Sequence, residues 1–349
     1  MASALTETPK TICITIRHPA RVHLFKNMIF ELNEMGHKVH VYIVGSGIIT
    51  DLLDQYCIEY EQLASVHDTL PELVFEQMKI EIRLLHRALK VKPDIMIDGI
   101  ATQHVSKVVG ATALSFMDTE HATFTKKMTV PFADKIFTPD CYRQDYGEKQ
   151  IRYPGFHELA YLHPNRFEPD SSILEEAGVT PNERFVILRT VAWKAVHDVG
   201  DSGFDDLYDV VTSLEETGVQ VFITSEAPLP DSVSDRRLTI EPHRIHHLMY
   251  YADLFIGESA TMATESAVLG TPAIFVSSSR RGYTDELEEE YGLVFNYSGP
   301  DRQINGLNQA ISILNEYDDT VWRERREQLL EEKIDTTEFI TDQITSMQS

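Results

Sequence analysis

Short apolar runs, each closed by a polar turn and followed by a segment of helical spacing, recur along this chain. Leu254 to Ile256 and Ala273 to Val276 are unbroken apolar runs, as strands buried on both faces of a parallel sheet require. Gly270 and Pro272 stop the helical segment between them, so Asp253 to Val276 is one βαβ step. The amino-terminal stretch has the same design. Lys10 to Ile16 is β-rich, and after Arg17-His18-Pro19-Ala20-Arg21 the residues Val22, Phe25, Ile29 and Leu32 recur at helical spacing up to Gly36. Further strands are predicted through Val44, near Ile58 to Leu63, at Pro93 to Asp98, Ala111 to Phe116, Lys135 to Thr138 and Gln150 to Tyr153. In the second half they fall at Phe185 to Thr190, Gln220 to Thr224, Leu238 to Ile240 and Leu293 to Asn296. Leu70 to Leu89 and Ile304 to Glu316 are predicted as helices. Such alternation defines an α/β protein of doubly wound parallel sheets.

A chain of 349 residues exceeds one ordinary core. The Asn-, Pro- and Asp-rich stretch Asn165 to Ser171 marks the boundary, giving one Rossmann-like domain over 1–164, a second over 165–318, and a helical segment over 319–349.

The candidate chemistry lies where strands open into helices. At Gly257-Glu258-Ser259-Ala260 the free amides and positive dipole end of a helix converge on small residues, a seat for a phosphate or diphosphate. Glu265, about two turns along, is positioned to offer its carboxylate to ribose hydroxyls; the plain alternative is a solvated helix residue. His23 lies in the first turn of the first helix, as a base, a hydrogen-bond donor or a structural histidine. Asp118, Glu120 and His121 crowd one turn, and a carboxylate beside an imidazole tunes a base towards neutral pH. Alternatively Asp118 is the N-cap of the next helix. Arg189 ends a buried strand, set against a diphosphate or in an ion pair. His197 and Asp198 sit in a Gly/Asp-rich loop, as a donor-sugar contact or an ion pair, and Arg280-Arg281 is a basic pair in acidic surroundings.

Composition narrows the partners. The formal net charge is -24, with 55 Asp and Glu against 31 Lys and Arg spread along the chain, which argues against nucleic acid. The acidic excess fits a salt-adapted, halophilic cytoplasm, where screening tolerates surface charge; an ordinary acidic cytosolic protein is the alternative. Three dispersed cysteines, Cys13, Cys57 and Cys141, suit neither a disulfide framework nor a zinc site. No apolar run approaches the roughly 18 residues of a membrane span, and the amino terminus lacks a signal pattern. The expectation is a cytoplasmic protein, compatible with peripheral contact at the inner face of the membrane.

The motifs Arg17 to Lys26, Gly36-His37, Asp118-Thr119-Glu120-His121, His157 to Pro164, His197-Asp198, Ile223-Thr224-Ser225-Glu226, His246-His247, Thr261-Met262, Glu265 and Leu269-Gly270-Thr271-Pro272 together resemble the archaeal family of predicted glycosyltransferases known as DUF354. That family is similar to the GT-B superfamily of nucleotide-sugar glycosyltransferases and UDP-N-acetylglucosamine 2-epimerases. Two departures stand out. The family usually carries Asp-Ser-Gln where this chain has Glu258-Ser259-Ala260, and the epimerases carry Gly-Asp-Thr where this chain reads Asp98-Gly99-Ile100-Ala101.

The resemblance implies two Rossmann-like domains facing a central cleft, with the last helix crossing back to the first domain. It implies a metal- and cofactor-independent transfer from an NDP-sugar, UDP first among them, to a glycan or polyprenyl-linked acceptor. Donor contacts fall on Arg17, Arg189, Ser225, Glu226, His243, Gly257, Glu258, Ser259, Thr261, Met262 and Glu265. Acceptor-side chemistry falls on His23, Asp118, Glu120 and His121. A 2-epimerase or hydrolase, and a catalytically silent binding subunit, are the rivals.

Overall fold

The computed structural model describes residues 8–65, 70–179, 183–190, 207–225 and 227–347. Its strands form two sheets. The first contains β1 (Thr11–Ile16), β2 (Lys38–Val44), β3 (Tyr60–Ala64), β4 (Ile95–Ile97), β5 (Thr112–Phe116), β6 (Lys135–Pro139) and β7 (Gln150–Tyr153), in the order β3-β2-β1-β4-β5-β6-β7 with every pair parallel. The second contains β8 (Phe185–Thr190), β9 (Gln220–Ser225), β10 (Leu254–Gly257), β11 (Ala273–Val276) and β12 (Val294–Tyr297), in the order β12-β11-β10-β8-β9, again parallel throughout. Strand order reverses between β1 and β4 in one sheet and between β8 and β10 in the other. At such switch points successive crossovers leave in opposite directions, and the carboxyl rim opens to ligands.

The chain divides after Tyr161 and again after Lys333. In the first unit the helix Pro19–Glu34 begins with His18 as N-cap, its Nδ1 accepting from the Ala20 amide at 3.2 Å, and with Pro19, whose missing N–H costs nothing there. Val22, Phe25, Met28, Ile29 and Leu32 form its buried face. Leu32→Ala would remove a wholly buried side chain at about 2–5 kcal/mol. The closing helix Thr336–Thr345 packs on this one. Asp335 caps it by accepting from the amides of Thr337 and Glu338, and Thr341 Oγ1 donates to Glu31 at 2.7 Å. At its far end Lys10 Nζ donates to the carbonyl of Ile344 at 3.2 Å, a cation set against the negative dipole end.

In the second unit β10 and β11 are buried at every residue, as their apolar runs require. The helix Ala260–Leu269 between them is buried from Ala263 to Leu269, so it has no solvated face and Glu265 is not a solvated residue.

Three expectations change. Leu238 to Ile240 is not a strand; the Leu238 amide alone reaches the carbonyl of Ile223, at 2.9 Å, because Pro242 and the polar stretch before it deny further pairing. The segment from Asp319 is two helices, Asp319–Glu332 and Thr336–Thr345. Lys333 is extended and Asp335 starts a new cap, so the first of the two stays with the second unit. The boundary itself falls after Tyr161, within the helix Leu159–Leu162 and ahead of the linker at 165–171.

Candidate functional site

At the carboxyl rim of the first sheet, four segments bring charged groups together. β4 ends in two consecutive residues with left-handed backbones, Asp98 at φ 54° and Gly99 at φ 88°. A β-carbon on Gly99 would lie 3.3 Å from Thr15 Cβ, so glycine suits both the turn and the space. Asp98 gains no such relief, and a left-handed non-glycine residue costs on the order of 1–3 kcal/mol. Its carboxylate is held on both sides: Oδ1 accepts from the Phe116 amide at 2.8 Å, and Oδ2 lies 3.3 Å from Nη1 of Arg21. Arg21, in the first turn after β1, also reaches Asp118, Nη2 to Oδ1 at 3.8 Å. Asp118, just past β5, meets Nδ1 of His157 through Oδ2 at 2.9 Å and accepts from Thr119 at 3.0 Å. His157 arrives from the turn after β7, where Gly155 leaves only 3.0 Å between a would-be β-carbon and Thr336 Oγ1.

These environments drive the two carboxyls apart. Burial lifts Asp98 above the ordinary carboxylate range, against the pull of Arg21 and the Phe116 amide. Burial pushes Asp118 the same way, but His157 overrides it together with Arg21 and Thr119, holding that carboxyl well below the ordinary range. Arg21 loses to burial and gains more from Asp98 and Asp118, so its guanidinium is held protonated. Two polar atoms here are buried and make no hydrogen bond among the described residues, Oη of Tyr153 and Nε2 of His157, while Nη1 of Arg21 has its ion pair with Asp98.

Of the acid and base residues singled out in the sequence, Asp118 alone joins this group. It does not cap a helix: the next helix, Thr123–Thr129, has Ala122 at its N-cap with no side-chain bond. The Glu120 carboxylate accepts from the Arg143 amide at 3.4 Å, while its carbonyl takes Lys126 and Gln144. His121 is exposed. His23 is buried, stacked on Tyr161 with centroids 5.1 Å apart, and its Nδ1 lies 3.4 Å from the Tyr56 hydroxyl. Arg17 is exposed and donates to Gln77 at 3.1 Å.

The second rim is built around Gly257. A β-carbon there would stand 2.5 Å from the Arg189 carbonyl oxygen and 2.7 Å from Arg189 Cβ, so β10 and β8 approach as only glycine permits. Ser259 caps the following helix, its Oγ accepting from the Met262 amide at 3.3 Å. The amides of Ala260 and Thr261 occupy the first two helical positions, where no preceding carbonyl can reach them. Glu258, Ser259, Thr261 and Met262 are all half-buried. Glu265 is buried, with Oε1 2.9 Å from Nε2 of His246. Arg189 ends β8 beside this turn, Ser225 ends β9 with its hydroxyl accepting from the Ala227 amide at 3.2 Å, and His243 sits in the short turn Pro242–Arg244. Glu226, His197 and Asp198 lie outside the described residues. Arg280 is held by Asp285 at 2.5 Å and by Glu288, which occupies it as a structural cation.

Arg21, Asp98, His157, Tyr153 and His246 were given no role from the sequence, although Arg21, His157 and His246 lie in the motifs that carry the family resemblance and Asp98 opens the second departure from it. An acid at the end of an apolar strand, followed by glycine, was the available signal for Asp98; the phenol of Tyr153 gave none.

Two doubly wound parallel sheets, each with polar groups at its switch point, make this a GT-B-like α/β protein. The chain belongs to the family described as "Protein of unknown function (DUF354)", which it matches over residues 10–344. It is 22% identical over 283 residues to the uncharacterised protein MJ0665 of Methanocaldococcus jannaschii, covering 75% of this chain and 80% of that one. Its fold is similar to that of UDP-GlcNAc 2-epimerase from Neisseria meningitidis bound to UDP-GlcNAc, with a TM-score of 0.69, 12% identity, and 97% of this chain and 100% of that one covered. It is also similar to the spinosyn forosaminyltransferase SpnP, with a TM-score of 0.63, 12% identity and the same coverage. Among the described residues no helix is long and apolar enough to cross a membrane.

Proposed function

We propose that this protein is a nucleotide-sugar-dependent glycosyltransferase, moving a sugar from an NDP donor, UDP-linked in the first instance, to a hydroxyl of a glycan or lipid-linked acceptor. One observation carries the reading. At the switch point of the second sheet Gly257 admits no β-carbon beside Arg189, and the next two helical amides face the rim under the positive end of a helix dipole. A diphosphate placed there meets backbone N–H groups and the Arg189 guanidinium, and departing nucleotide charge is neutralised by the same groups. Glu265 is the acid for the ribose, Ser225 and His243 stand on neighbouring rim segments, and the first unit supplies the acceptor side. That a UDP-GlcNAc 2-epimerase solved with UDP-GlcNAc bound shares the fold supports the donor class.

Incubation with UDP-sugars, with and without monosaccharide and polyprenyl-phosphate acceptors, tests this reading. Transfer predicts sugar-acceptor product and UDP release that depend on acceptor.

A second reading rests on the first rim. Asp98, with its carboxyl pushed up, and Asp118, with its carboxyl held down, flank Arg21 as an acid and a base would in a 2-epimerase. Consumption of UDP-N-acetylglucosamine alone, with the 2-epimer formed, would replace the first reading by this one.

A further inference from the structure

The helix Leu70–Val91 packs on β3, the edge strand of the first sheet. Ile80, Leu84 and Ala88, spaced four apart, are its buried face and share one core with Leu63 of β3. Its opposite face is open. Met78 is 56% exposed, Ile82 65% and Leu89 59%, and at 3.6 residues per turn the three fall within about 40° of one another over about 16 Å of helix. Scattered exposed apolar residues are ordinary, whereas three aligned on one stripe are a surface with a use. The charge beside the stripe is opposite to that of the chain. Overall 55 Asp and Glu outnumber 31 Lys and Arg, yet residues 76–92 hold five Lys and Arg against two Glu. Both acids are occupied: Glu76 pairs with Lys79 at 2.6 Å, and Glu81 lies 2.9 Å from Nδ1 of His104. His86, Lys90 and Arg83 follow the stripe within about 100° of Ile82. Arg83 donates to the Leu63 carbonyl, and neither it nor Lys90 meets a carboxylate among the described residues. Between this flank and β3 opens a cavity of about 410 Å³, whose walls include Leu63, Ile82, Arg83, His86 and Arg87, with Glu61 tied up by Nε of Arg87 at 2.6 Å.

We infer that this open face docks on an anionic phospholipid surface, with Met78, Ile82 and Leu89 entering the headgroup layer while Arg83, His86 and Lys90 meet lipid phosphates. A helix that is apolar along one stripe and cationic beside it suits the plane of such a surface. This one is neither long nor apolar enough to cross, so it lies along the membrane. The attraction of a basic group for anionic lipid acts within about a Debye length, roughly 8 Å at physiological salt, so these local cations are felt although the chain as a whole is acidic. At the cavity a headgroup phosphate meets the free donors of Arg83 and His86, with Ile82 beside it for the first methylenes. A second copy of the chain is the poorer occupant, since a twofold axis through the stripe would bring two cationic flanks to one seam. No residue of the nucleotide seat takes part, and the inference stands apart from the transferase reading.

Flotation of the full-length protein with lipid vesicles tests this face. At about 0.1 M salt, wild type should bind phosphatidylcholine vesicles containing phosphatidylglycerol about tenfold or more better than vesicles of phosphatidylcholine alone. Ile82→Glu should weaken binding to the anionic vesicles about tenfold. The double variant Arg83→Gln, Lys90→Gln should weaken it by a similar factor and flatten its decline with salt. All three positions are exposed, so the variants should melt with wild type; Leu89→Ser repeats the apolar test should Ile82→Glu fail to fold. Wild type that does not float with anionic vesicles, or that floats equally with neutral ones, overturns the inference. So do variants that float like wild type. Sedimentation that finds a dimer dissociated by Ile82→Glu, with no flotation, gives the face to a second copy and overturns it as well. UDP binding is a separate readout, so the failure of either reading leaves the other standing.

Discussion

Oε1 of Glu265 lies 2.9 Å from Nε2 of His246, and both side chains are almost wholly buried. A carboxylate in that position needs its imidazole: His246→Ala should cost about 3 kcal/mol, because breaking a buried pair strands the remaining charge. His246→Gln, which can still donate to Oε1, should recover much of it. Urea unfolding of the two variants measures the difference, and equal stability would mean that the contact contributes nothing.

Gly257 sits where β10 meets β8 too closely for a side chain. Gly257→Ala should therefore destabilise by about 1–3 kcal/mol, since its methyl meets backbone atoms of Arg189 that cannot swing aside. The same methyl intrudes on the rim, so UDP binding should fall as well. A variant with unchanged melting and unchanged nucleotide affinity would remove Gly257 from the account.

The two carboxyls of the first rim should respond to pH with opposite signs. Asp118 has a folded pKa below its ordinary 3.8, so its contribution is fully present above that value and is lost as pH falls towards the folded one. Asp98 has a folded pKa above 3.8, so its contribution is present at low pH and is lost as pH rises through the folded value. Unfolding of wild type, Asp118→Asn and Asp98→Asn between pH 3 and pH 7, roughly the span in which carboxyls titrate, gives the slopes. The stability advantage of wild type over Asp118→Asn should grow with pH, and its advantage over Asp98→Asn should shrink.

Thiol labelling gives a simpler check on packing. Cys13 is buried in β1 with its thiol pushed up to about 12 by burial, partly offset by its bond to Tyr42, whereas Cys57 is exposed. Native protein should lose Cys57 to a disulfide reagent at once and Cys13 only on unfolding. Prompt labelling of Cys13 would show that β1 is not in the core.

Much of this molecule was visible in its sequence because parallel strands buried on both faces announce themselves. Leu254 to Ile256, Ala273 to Val276 and Phe185 to Thr190 were apolar runs with polar ends, and each is a strand. Leu238 to Ile240 had apolar ends but only one bond to a strand, from the Leu238 amide to the Ile223 carbonyl, and pairing is a property of the sheet and not of the run. The site was legible on one rim and less so on the other. Small residues between a strand and a helix pointed to Gly257 and Ser259, since local geometry decides what a turn can hold. In the first unit the group is assembled from Arg21, Asp98, Asp118 and His157, far apart in sequence and joined only by the order β1-β4-β5-β6-β7. Crowding at Asp118, Glu120 and His121 suggested a cluster made by neighbours; the backbone turns Glu120 to the Arg143 amide instead.

The nucleotide seat in the second unit carries the whole functional account, and equilibrium binding of UDP, measured by calorimetry at high salt on wild type and Glu265→Gln, addresses it most directly. The account predicts saturable binding by wild type and a loss of about tenfold in the variant, the effect of weakening one charged hydrogen bond to ribose by about 1.4 kcal/mol. Wild-type protein that fails to bind UDP, or a Glu265→Gln variant that binds it equally well, would contradict the account.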